Sequence, residues 1–226
     1  MTGGIARRLA VFDIDGTLVD SQDQIVAAMT HAFDVTGHVL PERTQILSIV
    51  GLSLPEAIAR LVPAFPADEQ DAIVTAYKHG FGQSRARLAS PMFPGMRDLI
   101  DDLARVPGMI LGVATGKSRR GLDHIIDAHG LAARFETQQV ADDHPSKPHP
   151  SMLLRALAET AVPPENAVMI GDTTFDIEMG RAAGMHTIGV GWGYHDAGML
   201  RDAGAGQIVM TAEALFQALT GKWEKA

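Results

Sequence analysis

The sequence predicts an α/β protein with a doubly wound, mostly parallel sheet and an all-helical cap domain inserted near its start. From Pro94 onward, short apolar runs of strand length alternate with stretches of helical periodicity, a pattern typical of right-handed βαβ units. One further strand pattern, at 9–15, lies far upstream. About eighty residues without a convincing strand pattern separate it from the next strand, far more than an ordinary connection requires. An inserted helical domain accounts for this spacing.

The first strand and the inserted helices follow from local patterns. The apolar run 9–15 ends at Gly16, as expected of a buried strand that stops at a turn. Apolar residues then share one helix face, namely Ile25, Ala28, Met29, Ala32 and Phe33. Shorter helical stretches punctuated by Pro and Gly follow. We therefore predict a cap domain of residues 21–90 and an α/β core domain of residues 1–20 and 91–226.

The remaining elements alternate along the rest of the chain. Strands are predicted at 109–114, 136–140, 167–170, 186–190 and 208–210, the second and the last being the weakest patterns. Helical patterns occupy the stretches between them and the end of the chain. Because consecutive βαβ units place their strands in parallel, the carboxyl ends of these strands are expected at one edge of the sheet.

Composition and charge exclude several classes of protein. The 226 residues contain no Cys, which excludes disulfides, zinc–thiolate sites, iron–sulfur clusters and a cysteine nucleophile. The 19 Lys and Arg against 27 Asp and Glu give a formal net charge of −8, so we expect no nucleic-acid partner. No apolar run approaches the roughly 20 residues that span a bilayer, and Asp13 cuts the first apolar stretch too early for a signal peptide. We therefore expect no membrane partner and a cytoplasmic protein.

Polar residues that can carry chemistry follow four of the predicted strand segments. They are Asp13, Asp15, Gly16 and Thr17 after the first, Thr115, Gly116 and Lys117 after the second, Ser146, Lys147 and Pro148 after the third, and Gly171, Asp172, Thr173 and Asp176 after the fourth. In open parallel sheets, ligands bind beyond the carboxyl ends of the strands. The convergence of these residues at one edge predicts the functional site.

The residue types at this edge favour metal-assisted phosphoryl transfer. Three carboxylates, from Asp13, Asp15 and Asp172, repel one another unless a cation lies among them, and oxygen ligands without sulfur suit Mg²⁺. Lys147 and Thr115 supply a positive charge and a hydroxyl for an anion, and the free amides of the turn after Asp15 can do the same. With no Cys in the chain, a carboxylate is the obvious covalent nucleophile.

The motifs resemble those of a known superfamily. The segment Asp13-Ile14-Asp15-Gly16-Thr17-Leu18-Val19-Asp20-Ser21 resembles the first motif of the haloacid dehalogenase superfamily. Thr115, Lys147-Pro148 and Gly171-Asp172-Thr173-Thr174-Phe175-Asp176 match its other three motifs in order. The helical insertion lies where the first cap type of that superfamily belongs. Further segments are similar to phosphoglycolate phosphatase-like members, namely Gly51-Leu52-Ser53, Gly184-Met185 and Trp192-Gly193-Tyr194.

The resemblance implies a role for each motif residue. Asp13 would attack phosphorus, and Asp15 would protonate the leaving oxygen and then deprotonate the hydrolytic water. Thr115 and Lys147 would hold the phosphoryl oxygens. Further substrate contacts would come from the backbone of Gly16, Thr17 and Gly116, and Mg²⁺ would be held by Asp13, the Asp15 carbonyl and Asp172, with Asp176 acting through water or by orienting Lys147.

Two positions in the second motif stand out. The residue after the motif Thr is often Asn in related phosphatases, whereas this chain has Gly116, so a phosphate contact there must use the backbone. The adjacent Lys117 has no role implied by the resemblance, and we treat it as a bystander. Asp15 itself favours phosphate chemistry, because the related haloacid dehalogenases lack the second acid.

Three functions are compatible with these motifs. The leading prediction is a Mg²⁺-dependent phosphatase that acts on a small phosphorylated metabolite, with phosphoglycolate as the first candidate, and that is a monomer or a homodimer. The alternatives are a β-phosphoglucomutase-like phosphomutase and a non-enzymatic, receiver-like phospho-accepting domain. The cap residues that set specificity are not identified among its cations, which include Arg43, Arg60, Lys78, His79, Arg85 and Arg87.

Overall fold

A single parallel sheet forms the centre of the molecule. The structure is a computed structural model that describes residues 6–85 and 89–221. The sheet has six strands in the order β3-β2-β1-β4-β5-β6, and all five neighbouring pairs are parallel. The strands are β1 Arg8–Phe12, β2 Met109–Thr115, β3 Thr137–Val140, β4 Ala167–Gly171, β5 His186–Val190 and β6 Gln207–Val209. The predicted doubly wound α/β fold is confirmed.

Helices cover both faces of the sheet and form the insertion. The inserted helices are α1 Gln22–Thr36, α2 Arg43–Ser48, α3 Leu54–Leu61 and α4 Ala67–Arg85. Those of the α/β part are α5 Met96–Leu103, α6 Arg119–Ala128, α7 Ser151–Thr160, α8 Thr174–Ala182, α9 Ala197–Asp202 and α10 Ala212–Gly221, with a 3₁₀ turn at Pro164–Asn166. Among the described residues, no helix is both long and apolar enough to cross a membrane.

The two faces of the sheet bury separate apolar layers. Along β1, Leu9 and Val11 pack into the layer that includes α7 and α8, whereas Ala10 and Phe12 pack into the layer that includes α5, α6 and α10. This alternation follows from the two-residue period of a strand. Because both faces are covered, β1 is a continuous apolar run from Leu9 to Phe12.

The inserted helices have an apolar cluster of their own. Phe33 of α1, Ile46 of α2, Ile58 of α3 and Ile73 of α4 are fully buried in it. Phe175 of the α/β part also packs against this cluster, so the insertion rests directly on the sheet's carboxyl edge. Side-by-side packing of α1 and α4 buries the faces that the helical periodicity predicts.

The chain leaves and re-enters the α/β part at one place. Asp20 N donates to the carbonyl of Pro91 at 2.8 Å, and Phe93 N donates to that of Leu18 at 3.0 Å. The two connections therefore run side by side, as a hinge for the insertion requires. The boundaries at 20/21 and 90/91 stay a prediction.

The first strand is shorter than the sequence predicts. The run 9–15 was predicted as one strand, but β1 ends at Phe12. The amides of Leu18 and Val19 both donate to the carbonyl of Ile14, at 2.9 and 3.0 Å, and these bonds close a turn. Asp15 therefore lies in a turn and not on an extended strand, so the two-residue period of a strand does not place its side chain beside that of Asp13.

Candidate active site

A cavity of about 470 Å³ lies between the sheet edge and the inserted helices. Its α/β wall contains the predicted motif residues Asp13, Asp15, Thr115 and Gly116. Its other wall comes from α1, α3 with the loop before it, and α4, and includes Met29, Leu54, Tyr77 and Phe81. The wall from the α/β part therefore carries the polar motif residues, while the opposite wall is largely apolar.

Three carboxylates lie close together at the carboxyl edge of the sheet. Asp13, Asp172 and Asp176 each offer an oxygen, and these oxygens all lie within 4.8 Å of one another. All three residues are buried. Neither carboxylate oxygen of Asp13 has a hydrogen bond of good geometry, and among the described residues the ion pair of Asp13 is with an ammonium 3.0 Å from Oδ1. Buried anions left in this state normally have a cation among them.

Lys147 provides that ammonium. Its side chain is fully buried, with Nζ 3.0 Å from Asp13 Oδ1 and 2.6 Å from Asp176 Oδ1. Burial alone would lower the pKa of Lys147, but the two carboxylates outweigh it and raise that pKa above its usual value. Lys147 therefore stays charged. One ammonium against three carboxylates leaves an excess of negative charge at the cluster.

The excess negative charge raises the pKa values of two of the carboxylates. Burial, together with the neighbouring Asp176 and Asp15, raises the pKa of Asp13 to about 7, although Lys147 opposes this rise. Burial and the nearby Asp176 and Asp13 raise the pKa of Asp172 well above its usual value. A divalent cation would reverse both effects by offsetting the repulsion. The unpartnered Asp13 oxygens and the all-oxygen cluster thus fit Mg²⁺.

Local sequence explains why Asp172 is available for such a site. Asp172 lies between β4 and α8, where an Asp often caps the helix, but here Thr173 is the N-cap and its Oγ1 accepts from Asp176 N. Asp176 completes the capping box by accepting from Thr173 N at 3.1 Å. Asp172 is oriented instead by Thr17 Oγ1 at 2.8 Å and by Tyr194 N at 2.8 Å.

Two glycines allow this close packing around Asp172. Gly16 has φ +79°, and a Cβ there would lie 2.1 Å from Asp172 Oδ2. A Cβ on Gly193 would lie 2.2 Å from Asp172 Cβ. Both positions therefore exclude any larger residue, since real contacts are never this short.

Asp15 lies apart from the three-carboxylate cluster. Its Oδ1 forms an ion pair with Lys117 Nζ at 2.9 Å and accepts a short hydrogen bond from Ser21 Oγ. Ser21 Oγ also lies 2.9 Å from the hydroxyl of Tyr194. Since Ser21 donates its one proton to Asp15, Tyr194 must donate to Ser21. Burial and the nearby Asp15 raise the pKa of Tyr194, which keeps this donor protonated.

The second motif lies directly under the cap loop. Thr115 ends β2 and is buried, and its Oγ1 accepts from Lys117 N at 3.2 Å. A Cβ on Gly116 would lie 2.5 Å from the carbonyl oxygens of both Gly51 and Leu52. The glycine therefore makes room for the cap loop, which occupies the space that a side chain at this position would fill.

Three further contacts seat the insertion over the cavity. Ser53 N donates to Ser146 Oγ at 2.9 Å. His195 Nδ1 accepts from Thr174 N at 3.0 Å, so its other ring nitrogen carries the proton and donates to the carbonyl of Ser48 at 3.2 Å. Arg60 lies over the Phe175 ring, with its guanidinium carbon 5.3 Å from the ring centre. The structure thus describes a closed arrangement.

The structure brings together most of the residues that the sequence singles out. Asp13, Lys147, Asp172 and Asp176 form one buried cluster, while Asp15, Thr115 and Gly116 line the adjoining cavity. Asp176 accepts directly from Lys147 Nζ, so the predicted orienting role fits its geometry. Their catalytic and metal-binding roles remain predictions.

Other residues at the site were not predicted from the sequence. Lys117 was treated as a bystander, yet it is paired with Asp15. Ser21 and Tyr194 form the hydrogen-bonded chain behind Asp15, and Trp192 Nε1 donates to the carbonyl of Thr17 at 3.1 Å. The hydroxyl and indole donors in 192–194 were the available signal, because buried Tyr and Trp usually find a polar partner.

The cap cations divide by position. Lys78 lines the cavity, whereas Arg43 pairs with Asp23 at 3.0 Å on the exposed surface. Arg60 contacts Phe175, and His79 lies on the exposed side of α4, with its ring 6.3 Å from that of His31. Arg87 and the side chain of Arg85 lie outside the part of the chain that the structure describes.

Fold and site together define the class of protein. A carboxylate cluster and a buried lysine lie at the carboxyl ends of parallel strands, under an inserted helical cap, which is the architecture of a capped α/β hydrolase. The sequence pattern of the haloacid dehalogenase-like hydrolases matches residues 10–190. The chain belongs to this family of enzymes, and the family resemblance of its motifs is confirmed.

The relatives of this chain include proteins named for two different activities. IndB of Dickeya dadantii strain 3937, provisionally described as a phosphatase, is 35% identical over 210 residues, which are 90% of this chain and 89% of IndB. PtkA of Mycobacterium tuberculosis strain H37Rv, named a tyrosine-protein kinase, is 33% identical over 192 residues, which cover 84% of this chain. The chain spans 64% of the length of PtkA.

A solved structure shows the same fold. A protein from Lactobacillus delbrueckii subsp. bulgaricus, provisionally described as a phosphoglycolate phosphatase, superposes with a TM-score of 0.83. The two are 24% identical, and the match covers 95% of this chain and 99% of the other. At this identity the likeness establishes the architecture, including the inserted helices.

Proposed function

We propose that this protein is a Mg²⁺-dependent phosphatase that hydrolyses a small phosphomonoester through an aspartyl-phosphate on Asp13. The single observation that carries the proposal is the Asp13 carboxylate, which is buried and without a good hydrogen bond beside a lysine that stays charged. A carboxylate in this setting is poised to bind a cation and to attack an electrophile. Family membership and the phosphatase relative support the same reaction.

In the first step, a carboxylate oxygen of Asp13 attacks phosphorus and the bond from phosphorus to the leaving oxygen breaks. The electron pair of that bond stays on the leaving oxygen, which takes a proton from Asp15 and departs as an alcohol. Lys147, and the hydroxyl of Thr115, hold phosphoryl oxygens as charge builds on them. The two carboxylates have different cations beside them. Asp13 pairs with Lys147, whereas Asp15 pairs with Lys117.

In the second step, Asp15 takes a proton from a water molecule, whose oxygen attacks the phosphorus of the aspartyl-phosphate. The bond between phosphorus and the Asp13 oxygen breaks, its electron pair returns to the carboxylate, and inorganic phosphate leaves. One residue thus acts first as acid and then as base. The net reaction consumes one water and restores both carboxyl groups.

Residues Asp13 and Asp172 and the carbonyl of Asp15 would hold Mg²⁺. When bound, this ion would supply positive charge that offsets the repulsion between the substrate phosphate and the acidic cluster. Asp176 is held by Lys147 and by Thr173, which favours an orienting role for it over direct coordination.

The cavity limits the size and chemistry of the substrate. Its volume of about 470 Å³ falls within the usual range for small-molecule sites. The apolar residues on the cap side, such as Met29, Leu54 and Phe81, would exclude water during phosphoryl transfer. We therefore propose a small metabolite, with phosphoglycolate as the first candidate, and a cap that opens for release.

A phosphate-release screen tests the function. We expect inorganic phosphate from at least one member of a panel of phosphomonoesters, sugar phosphates and pyrophosphate with Mg²⁺ present, and a loss of at least about 100-fold after chelation with EDTA. Re-addition of Mg²⁺ is the control and should restore the rate.

Three results would contradict the proposal. Undiminished activity after chelation would exclude the Mg²⁺ role. Transfer of phosphate to a sugar hydroxyl or a tyrosine, without release of inorganic phosphate, would replace hydrolysis by phosphoryl transfer. A stable phosphoenzyme that never turns over would point to the receiver-like alternative.

A further inference from the structure

Lys117 is the buried cation of the cavity that the proposed reaction does not use. It lies at the first turn beyond β2, and its side chain is only 8% exposed. Its Nζ lies 2.9 Å from Asp15 Oδ1 and 5.0 Å from the centre of the Phe81 ring of α4. One ammonium thus contacts an acid of the α/β part and an aromatic ring of the cap.

The contacts of Asp15 are asymmetric. Oδ1 accepts a hydrogen bond from Ser21 Oγ and forms an ion pair with Lys117 Nζ, so two contacts hold this oxygen. Within residues 6–85 and 89–221, Oδ2 has no hydrogen-bond partner that the structure gives, although Asp15 lines the cavity. Fixing Oδ1 from two directions sets the plane of the carboxylate and leaves Oδ2 for proton exchange with a ligand.

The two contacts are not equivalent. Ser21 is neutral and is held in turn by Tyr194, so it contributes direction. Lys117 contributes charge as well, because it is the one cation among the described residues in an ion pair with Asp15. Opposite charges this close attract each other more strongly when they are shielded from water, as the buried side chain of Lys117 is.

We propose that Lys117 is a positioning residue that holds the charged Asp15 carboxylate in place to act as base toward the hydrolytic water. This inference rests on the proposed function and deepens it. Asp15 acts as an anion when it receives a proton from water in the second step, so the attraction of the Lys117 ammonium, 2.9 Å from Oδ1, acts in that step. The first step needs the opposite form of Asp15 and gains nothing from this contact.

The cap contributes to the same contact. Phe81 belongs to α4, and a cation over an aromatic face is stabilised by the negative charge of that face. Closing the cap therefore places the Phe81 ring next to the Lys117 ammonium, where it helps to hold the ammonium beside Asp15. In this arrangement the base for hydrolysis is fully oriented when the cavity is closed.

Rapid mixing with p-nitrophenyl phosphate and Mg²⁺ tests the inference. Its leaving group is a stable anion that needs no proton, so formation of the aspartyl-phosphate proceeds without Asp15, whereas hydrolysis still needs it. We expect Lys117→Met to give a burst of about one p-nitrophenolate per enzyme, followed by a steady rate at least about tenfold below wild type. Lys117→Arg keeps the charge and should restore most of the steady rate.

Lys78→Met is the matched control. Lys78 lines the same cavity but has no ion pair with Asp15, so this variant should show no enlarged burst. The burst counts folded active sites, so partial unfolding does not alter the steady rate per burst site. An unchanged steady rate per burst site in Lys117→Met, or a change confined to KM, would contradict the inference. A wild type that releases no p-nitrophenolate would contradict the proposed function itself, and this inference with it.

Discussion

Replacing Asp13 with Asn is expected to lower kcat for every phosphate ester by at least about 10⁴-fold, the scale at which loss of a covalent nucleophile is measured in other enzymes. The amide oxygen of Asn is a poor nucleophile, and it also lacks the charge that would hold Mg²⁺. Its shape nevertheless matches that of Asp13, so the fully buried position beside Lys147 remains filled. Phosphate release under saturating substrate, with circular dichroism as a check on folding, measures the effect.

Asp143→Asn is the matched control for that experiment. This variant has the same Asp-to-Asn substitution in an exposed loop, where the carboxylate of Asp143 lies 3.8 Å from the guanidinium of Arg119. Because an exposed pair of this length contributes little, kcat should stay within about twofold of wild type. An Asp13→Asn enzyme that keeps more than about 1% of wild-type kcat would show that another group attacks phosphorus.

Replacing Lys147 with Met is expected to remove activity and to destabilise the fold by about 3–5 kcal/mol without Mg²⁺, as for other buried pairs that lose one partner. The side chain is fully buried between Asp13 and Asp176, so its loss leaves these carboxylates without their cation. Urea unfolding at neutral pH measures the free energy of unfolding, and phosphate release measures activity. Added Mg²⁺ should recover part of the stability but none of the phosphate contacts made by Lys147.

The control for Lys147 is Arg105→Met. Arg105 pairs with Asp102 at 2.7 Å, but both side chains are more than half exposed, so its removal should cost less than about 1 kcal/mol. If Lys147→Met costs no more than this control, the buried charges are balanced in some other way and the electrostatic account of the cluster is wrong.

Elements of the α/β part were predictable because their signals are local. The central strands β2 and β4 are buried and read as continuous apolar runs, and Gly171 ends β4. The parallel order then places Asp13, Thr115 and Asp172 at one edge. When the strands can be recognised in a sequence, a site built from the residues that follow them can therefore be recognised too.

Other features depend on contacts between distant segments. The end of β1 at Phe12 is decided by the turn at Ile14, which competes with strand pairing. The proposed role of Lys117 depends on its contacts with Phe81 and Asp15. Phe81 lies 36 residues earlier in the chain, and Asp15 lies before the whole insertion. Neither periodicity nor a motif encodes that meeting, because the direction of a loop side chain is set by tertiary packing.

The covalent intermediate on Asp13 can be observed directly. Asp15→Asn enzyme mixed with p-nitrophenyl phosphate and Mg²⁺, quenched in acid and analysed by tandem mass spectrometry, should carry phosphate on the peptide that contains Asp13, and on Asp13 within it. The doubly substituted Asp13→Asn/Asp15→Asn enzyme should carry none. Phosphate on another residue, or released phosphate from wild type with no phosphoenzyme in the variant, would contradict the account.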